Sequence, residues 1–90
     1  SRLLRNYPNP FNPRTKIRFT LKTDAQALLR VYSAQGRLVR TLVDSYLAAG
    51  TRTVEWDGKD GRGTPVGSGT YFLRLEAGGT FESRSVTLLK

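Results

Sequence analysis

The sequence predicts an all-β chain, an antiparallel two-sheet β-sandwich of about seven short strands. Apolar and polar residues alternate with a period of two in segment after segment. Turn-forming Gly, Asp and Asn recur about every 8 to 14 residues. Three of the four prolines, Pro8, Pro10 and Pro13, fall in one opening run with Asn6, Tyr7, Asn9, Phe11 and Asn12. No helix survives that run, because each proline lacks an N–H, fixes its own φ and drives the preceding residue toward extended geometry.

Residues 1–14 therefore read as a stiff lead-in packed on the domain, with Tyr7 and Phe11 as anchors, and residues 15–90 as a single sandwich. The first regular strand starts at Thr15, where Thr15, Ile17, Phe19 and Leu21 face one way and Lys16, Arg18, Thr20 and Lys22 the other. Thr23-Asp24 turns the chain into a second strand, with Ala27, Leu29 and Val31 against Leu28, Arg30 and Tyr32, which Ala34-Gln35-Gly36 ends.

From Arg37 to Ala48 the apolar residues Leu38, Val39, Leu42, Val43, Tyr46 and Leu47 recur at helical spacing. The β-branched Val39, Thr41 and Val43 and the shortness of the segment favour a strand through about Val43, then a loop to Gly50. Arg52, Val54 and Trp56 alternate with Thr53 and Glu55, and Tyr71, Leu73, Leu75 and Ala77 alternate with Phe72, Arg74 and Glu76. Gly78-Gly79 opens a last strand in which Phe81 has the opposite parity to Val86 and Leu88, so a bulge or frayed start is expected there. Trp56, alone of its kind on an alternating strand, is expected in the core. Such a set of strands suits a sandwich of immunoglobulin type.

Ninety residues make one domain with a modest core. No apolar run approaches the roughly 18 residues that a spanning helix needs. The absence of cysteine removes disulfides and thiolate chemistry, and the absence of histidine removes the usual general base and the commonest transition-metal ligand. No motif activates a hydroxyl as nucleophile, so the chain is expected to be non-catalytic and to need no cofactor. Asp57 and Asp60, in the Asp57–Gly63 loop, raise the question of calcium, but Lys59 and Arg62 sit in the same turn and the spacing is not that of a calcium loop.

The net charge of +8 is dispersed along the chain. Without a basic cluster interleaved with aromatics, nucleic acid is not an expected partner, whereas anionic surroundings are attracted at low salt. Ser1 is not an initiator methionine, so the chain reads as a piece of a longer polypeptide.

Four motifs follow one another: Tyr7-Pro8-Asn9-Pro10-Phe11-Asn12-Pro13; Val31-Tyr32 with Gly36-Arg37-Leu38-Val39; Val54-Glu55-Trp56-Asp57-Gly58; and Gly69-Thr70-Tyr71-Phe72-Leu73-Arg74-Leu75. In that order they resemble the C-terminal sorting domain, type A, of type IX secretion cargo, over Asn6 to Lys90. The tryptophan, the Asp-Gly loop and the Gly-x-Tyr strand also resemble the immunoglobulin-like domain of the flagellar hook-capping protein.

The sorting-domain resemblance implies a label at the C-terminus of a secreted protein, covalently linked to an N-terminal cargo domain. Outer-membrane translocon proteins would read it after transit through the periplasm. The cargo would then be secreted or held at the surface of a Gram-negative bacterium, in some cases joined to anionic lipopolysaccharide.

Carried over by position, the recognition residues are Pro8, Asn9, Pro10 and Phe11 in the opening motif, Gly36 and Arg37 in the central turn, and Gly69 and Tyr71 in the penultimate strand. Val86, Leu88, Leu89 and Lys90 complete the set in the last strand, whose edge could accept a partner strand. Ser33 stands where the family commonly has an aspartate that could cap the central turn. Removing Leu88 to Lys90 is expected to affect export more than stability. Two other functions fit the same residues: a structural assembly module like the hook-cap domain or a surface-protein spacer, and a carbohydrate-binding module with Tyr32, Tyr46 and Phe72 as its platform.

Overall fold

The alternation that begins at Thr15 becomes a strand buried on one face, because every second residue from Thr15 to Leu21 is withdrawn from solvent. The computed structural model describes residues 2–4, 7, 8, 10 and 14–89. Among them lie seven strands and no helix: β1 (Arg2–Leu3), β2 (Thr15–Leu21), β3 (Ala25–Ser33), β4 (Leu38–Leu47), β5 (Gly50–Trp56), β6 (Gly69–Ala77) and β7 (Thr80–Leu88). They form a three-stranded sheet in the order β1-β2-β5 and a four-stranded sheet in the order β4-β3-β6-β7, with antiparallel pairing throughout. This is the all-β, immunoglobulin-like sandwich that the alternation predicts.

Leu3, Ile17, Phe19, Leu21 and Trp56 from the smaller sheet meet Ala27, Leu29, Val31, Leu73, Leu75, Val86 and Leu88 from the larger in one core. The ring of Trp56 stands edge-on to that of Tyr71, with centroids 5.3 Å apart, and so ties one end of the two sheets together. The Tyr71 hydroxyl donates to the Gly67 carbonyl at 2.6 Å, the tyrosine corner of immunoglobulin-like sandwiches.

The segment with helical spacing is a strand over its whole length. β4 stays paired with β3 as far as Ala25↔Leu47, so the loop expected from about Val43 onward is replaced by continuing strand. Two register shifts leave Val39 and Leu42 without partners, and each extra residue reverses the parity that follows. As a result Val39, Leu42, Val43 and Leu47 all pack against the core, three or four residues apart as on a helix. The carbonyl that the first bulge leaves unpaired, on Val39, accepts the Gly61 N–H at 3.0 Å and draws the loop after β5 onto this edge.

β7 shows the opposite outcome. Its register with β6 is unbroken from Gly69↔Leu88 to Ala77↔Thr80, so neither a bulge nor a frayed start is present. Phe81 has the wrong parity for the core because its ring lies on the outer face, where the Arg74 guanidinium covers it at 4.2 Å.

The lead-in is held by its backbone. β1 pairs with β2 through Leu3↔Phe19, both inward-facing, and Tyr7 exchanges two backbone hydrogen bonds with Lys16, at 2.9 and 2.8 Å. Pairing with an outward residue turns the Tyr7 ring outward as well, and it is 77% exposed, so it is not the anchor that its aromatic character predicts. Leu3 is that anchor, and its N–H reaches across to the Glu82 carboxylate of β7 at 2.6 Å. Phe11, the second expected anchor, lies outside the described residues.

Candidate functional site

Hairpin geometry sends the motif residues to one pole of the sandwich. Thr15 opens β2 opposite Trp56, the last residue of β5, and Trp56 meets Tyr71 near the start of β6. Tyr71 is paired on one side with Ser33, at the end of β3, and on the other with Val86, while Gly69 pairs with Leu88. Tyr7 and Pro8 of the opening motif, the central turn, the tryptophan, the Gly-x-Tyr strand and the end of β7 therefore share this pole. The β6–β7 hairpin at Gly78-Gly79 occupies the other, with the two passages between sheets, at Asp24 and at Ala48-Ala49.

Of the expected recognition residues, six present themselves to solvent: Pro8, Pro10, Gly36, Arg37, Gly69 and Leu89. Pro8 is fixed by its carbonyl, which accepts the Thr15 hydroxyl at 2.8 Å. Gly36 lies at φ +87°, in the left-handed region where a side chain is strained, and its N–H closes the turn on the Ser33 carbonyl. The Ser33 hydroxyl accepts the Arg37 N–H at 3.1 Å, so serine does the capping expected of the family's aspartate. Arg37 is thereby held at the tip with its side chain exposed.

Tyr71, Val86 and Leu88 are core residues. Because Leu88 is buried, removing it would also open the core at this pole and cost stability. Asn9, Phe11 and Lys90 lie outside the described residues. Sequence reasoning passed over Thr15 as a contributor to the pole. Thr15 shares the inward parity of Ile17 and Phe19, the one signal that marks it.

The loop from Asp57 to Gly67 covers the same pole and orders itself with its own acids. Asp57 accepts from Arg40 at 2.9 Å and from the Lys59 N–H at 3.1 Å, and Asp60 accepts the N–H groups of Arg62 at 2.9 Å and Thr64 at 3.0 Å. Those two backbone donors, from Thr64 first and then Arg62, hold the Asp60 carboxyl below its ordinary 3.8. The Trp56 indole N–H donates to the Lys59 carbonyl at 2.9 Å, so its polar tip is satisfied. With both carboxylates engaged in turn hydrogen bonds, and no cluster of three acids among the described residues, the loop is explained as a structural knot.

The proposed aromatic platform is divided. Tyr32 and Phe72 are cross-strand partners on the outer face of the larger sheet, but Tyr46 pairs with Gln26, six residues along β3, about 20 Å away at the usual rise.

The family model described as the FlgD Ig-like domain matches residues 11–80. Over 47 residues the chain is 49% identical to the basal-body rod modification protein FlgD of Salmonella typhimurium, a match that takes in 50% of this chain and 20% of that protein. The Salmonella typhi protein matches equally, so the chain spans a fifth of the length of these curated relatives. In shape it resembles part of dimeric latent PorU from Porphyromonas gingivalis, with a TM-score of 0.74 and 21% identity over 97% of this chain and 9% of that one. It also resembles part of PorZ from the same bacterium, with a TM-score of 0.67 and 18% identity over 96% of this chain and 11% of that one.

Proposed function

This chain belongs to the FlgD Ig-like domain family, and we propose that it works without catalysis as a sorting label, read by outer-membrane translocon proteins at the pole that gathers its motifs. The observation that carries this reading is the convergence of motifs far apart in sequence on one end of the fold, where Pro8, Pro10, Gly36, Arg37 and Leu89 face solvent around the buried Trp56–Tyr71 contact. A fold needs turns at both poles. Only one of them concentrates the motif residues, and there Thr15 holds Pro8 and Ser33 holds Arg37.

The fold likeness to PorZ, an essential bacterial surface component of the type-IX secretion system, supports the same reading. So does the lack of Cys and His, which leaves little for chemistry. The label would act in the periplasm and deliver its cargo outside the cell or to its surface.

Residues 1–90 fused behind a periplasmic reporter, in a host with type IX secretion, should carry the reporter to the cell surface. Retention of a folded fusion in the periplasm would contradict the proposal. The match to FlgD favours a second reading, in which the sandwich is a structural module that assembles with copies of itself or with neighbouring domains. Sedimentation over a concentration series separates the two: a label stays monomeric, and an assembly module associates.

A further inference from the structure

We propose that the outer face of the four-stranded sheet binds an acidic polysaccharide, with uronate carboxylates held by Arg30 and Arg74 and sugar rings resting on Tyr32 and Phe72. Arg30 and Arg74 are direct cross-strand partners. Like charges in that relation are destabilising. The Nε of each is buried without a hydrogen-bond partner. Arg74 is nonetheless held, since its Nε lies 3.0 Å from the Glu76 carboxylate, an electrostatic contact without N–H alignment, and its guanidinium stacks on Phe81. Arg30 has no ion pair among the described residues. Two arginines on paired positions of one face, one of them uncompensated, form an anion site that the domain itself leaves incomplete.

The adjoining pair on the same face is Tyr32 and Phe72, one strand repeat of about 7 Å from the arginines. A shallow depression of about 310 Å³, running from the central turn at Ala34 and Gly36, is bordered by Tyr32, Phe72 and Arg74 together. A pyranose stacked on the rings would bring a pendant carboxylate within reach of the guanidiniums. Asp24, Asp44 and Glu76 line the far end of the face, so the anion is driven toward the aromatic end. A peptide is the poorer fit, because extended peptides bind sheets through backbone groups exposed at an edge, and the face of a sheet has none to offer. The inference does not rest on the export reading, and each can fail without the other.

Electrophoresis of the 90-residue chain through gels containing polygalacturonate tests it. Retardation is expected, with Arg30→Gln and Phe72→Ala each weakening binding tenfold or more. Arg14→Gln, which removes an exposed arginine paired with Glu55 at the other sheet, should leave binding unchanged. Arg30→Thr should abolish binding while raising the melting temperature, a combination that damage to the fold cannot produce. No retardation, equal retardation by neutral dextran, or equal weakening by Arg14→Gln would overturn the proposal. Tighter binding to polyglutamate would assign the face to acidic protein and overturn it as well.

Discussion

The edge-on contact of Trp56 and Tyr71 joins the two sheets at the pole where the motifs meet. Trp56 is fully buried with its N–H satisfied, so Trp56→Ala should cost about 3 to 5 kcal/mol, measurable by denaturant unfolding. Tyr71→Phe keeps the ring and removes only the donor to Gly67, for about 1 kcal/mol. Burial raises the Tyr71 pKa above 10.0, so its contribution to stability is complete below that pH and is lost as pH climbs past it toward the folded value. Asp60 works in the opposite sense. Its carboxyl titrates below 3.8 in the fold, so its stabilisation is present above 3.8 and fades as pH falls through the folded value. The melting-temperature gap between the native chain and Asp60→Asn should therefore be constant near neutrality and close in acid. A gap unchanged down to the folded value would mean that the Thr64 and Arg62 donors do not depend on the charge.

At the scale of elements, β1 is two residues long and hangs on Leu3, whose side chain enters the core and whose N–H meets Glu82 of β7. Glu82→Ala should cost about 1 to 2 kcal/mol and speed amide exchange at Leu3 and Leu4 well ahead of the rest of the fold. Periodicity made β2, β3, β5 and β6 legible, since one residue in two is buried along β2, β3 and β6, and Arg52, Val54 and Trp56 are buried or half-buried along β5. β4 was only half legible. A bulge is a relation between two strands, and without knowing that β3 lay alongside, nothing marked Val39 and Leu42 as the unpaired residues. Tyr7 misled for the same reason, because its exposure follows from pairing with Lys16 and not from its own chemistry. The Arg30–Arg74 pair was invisible until the register of β3 and β6 set the two side by side. Residues of the pole that cap turns or fill the core, such as Gly36 and Trp56, were readable from type and position. What the sequence could not show was that they meet.

Across the whole molecule, the sandwich is polarised, with one pole bearing the recognition motifs and the other bearing one hairpin and two passages between sheets. The account holds that proteins outside the chain read the first pole and ignore the second. Arg37 and Lys22 are both exposed, both cationic and at opposite poles, so Arg37→Glu and Lys22→Glu change the charge equally and disturb the core equally little. The decisive measurement is the surface display of a reporter fused to each variant in a host with type IX secretion, with melting temperatures matched. The account predicts that Arg37→Glu strands the reporter in the periplasm while Lys22→Glu reaches the surface like the native chain. Equal export of both, or loss with Lys22→Glu alone, would contradict it.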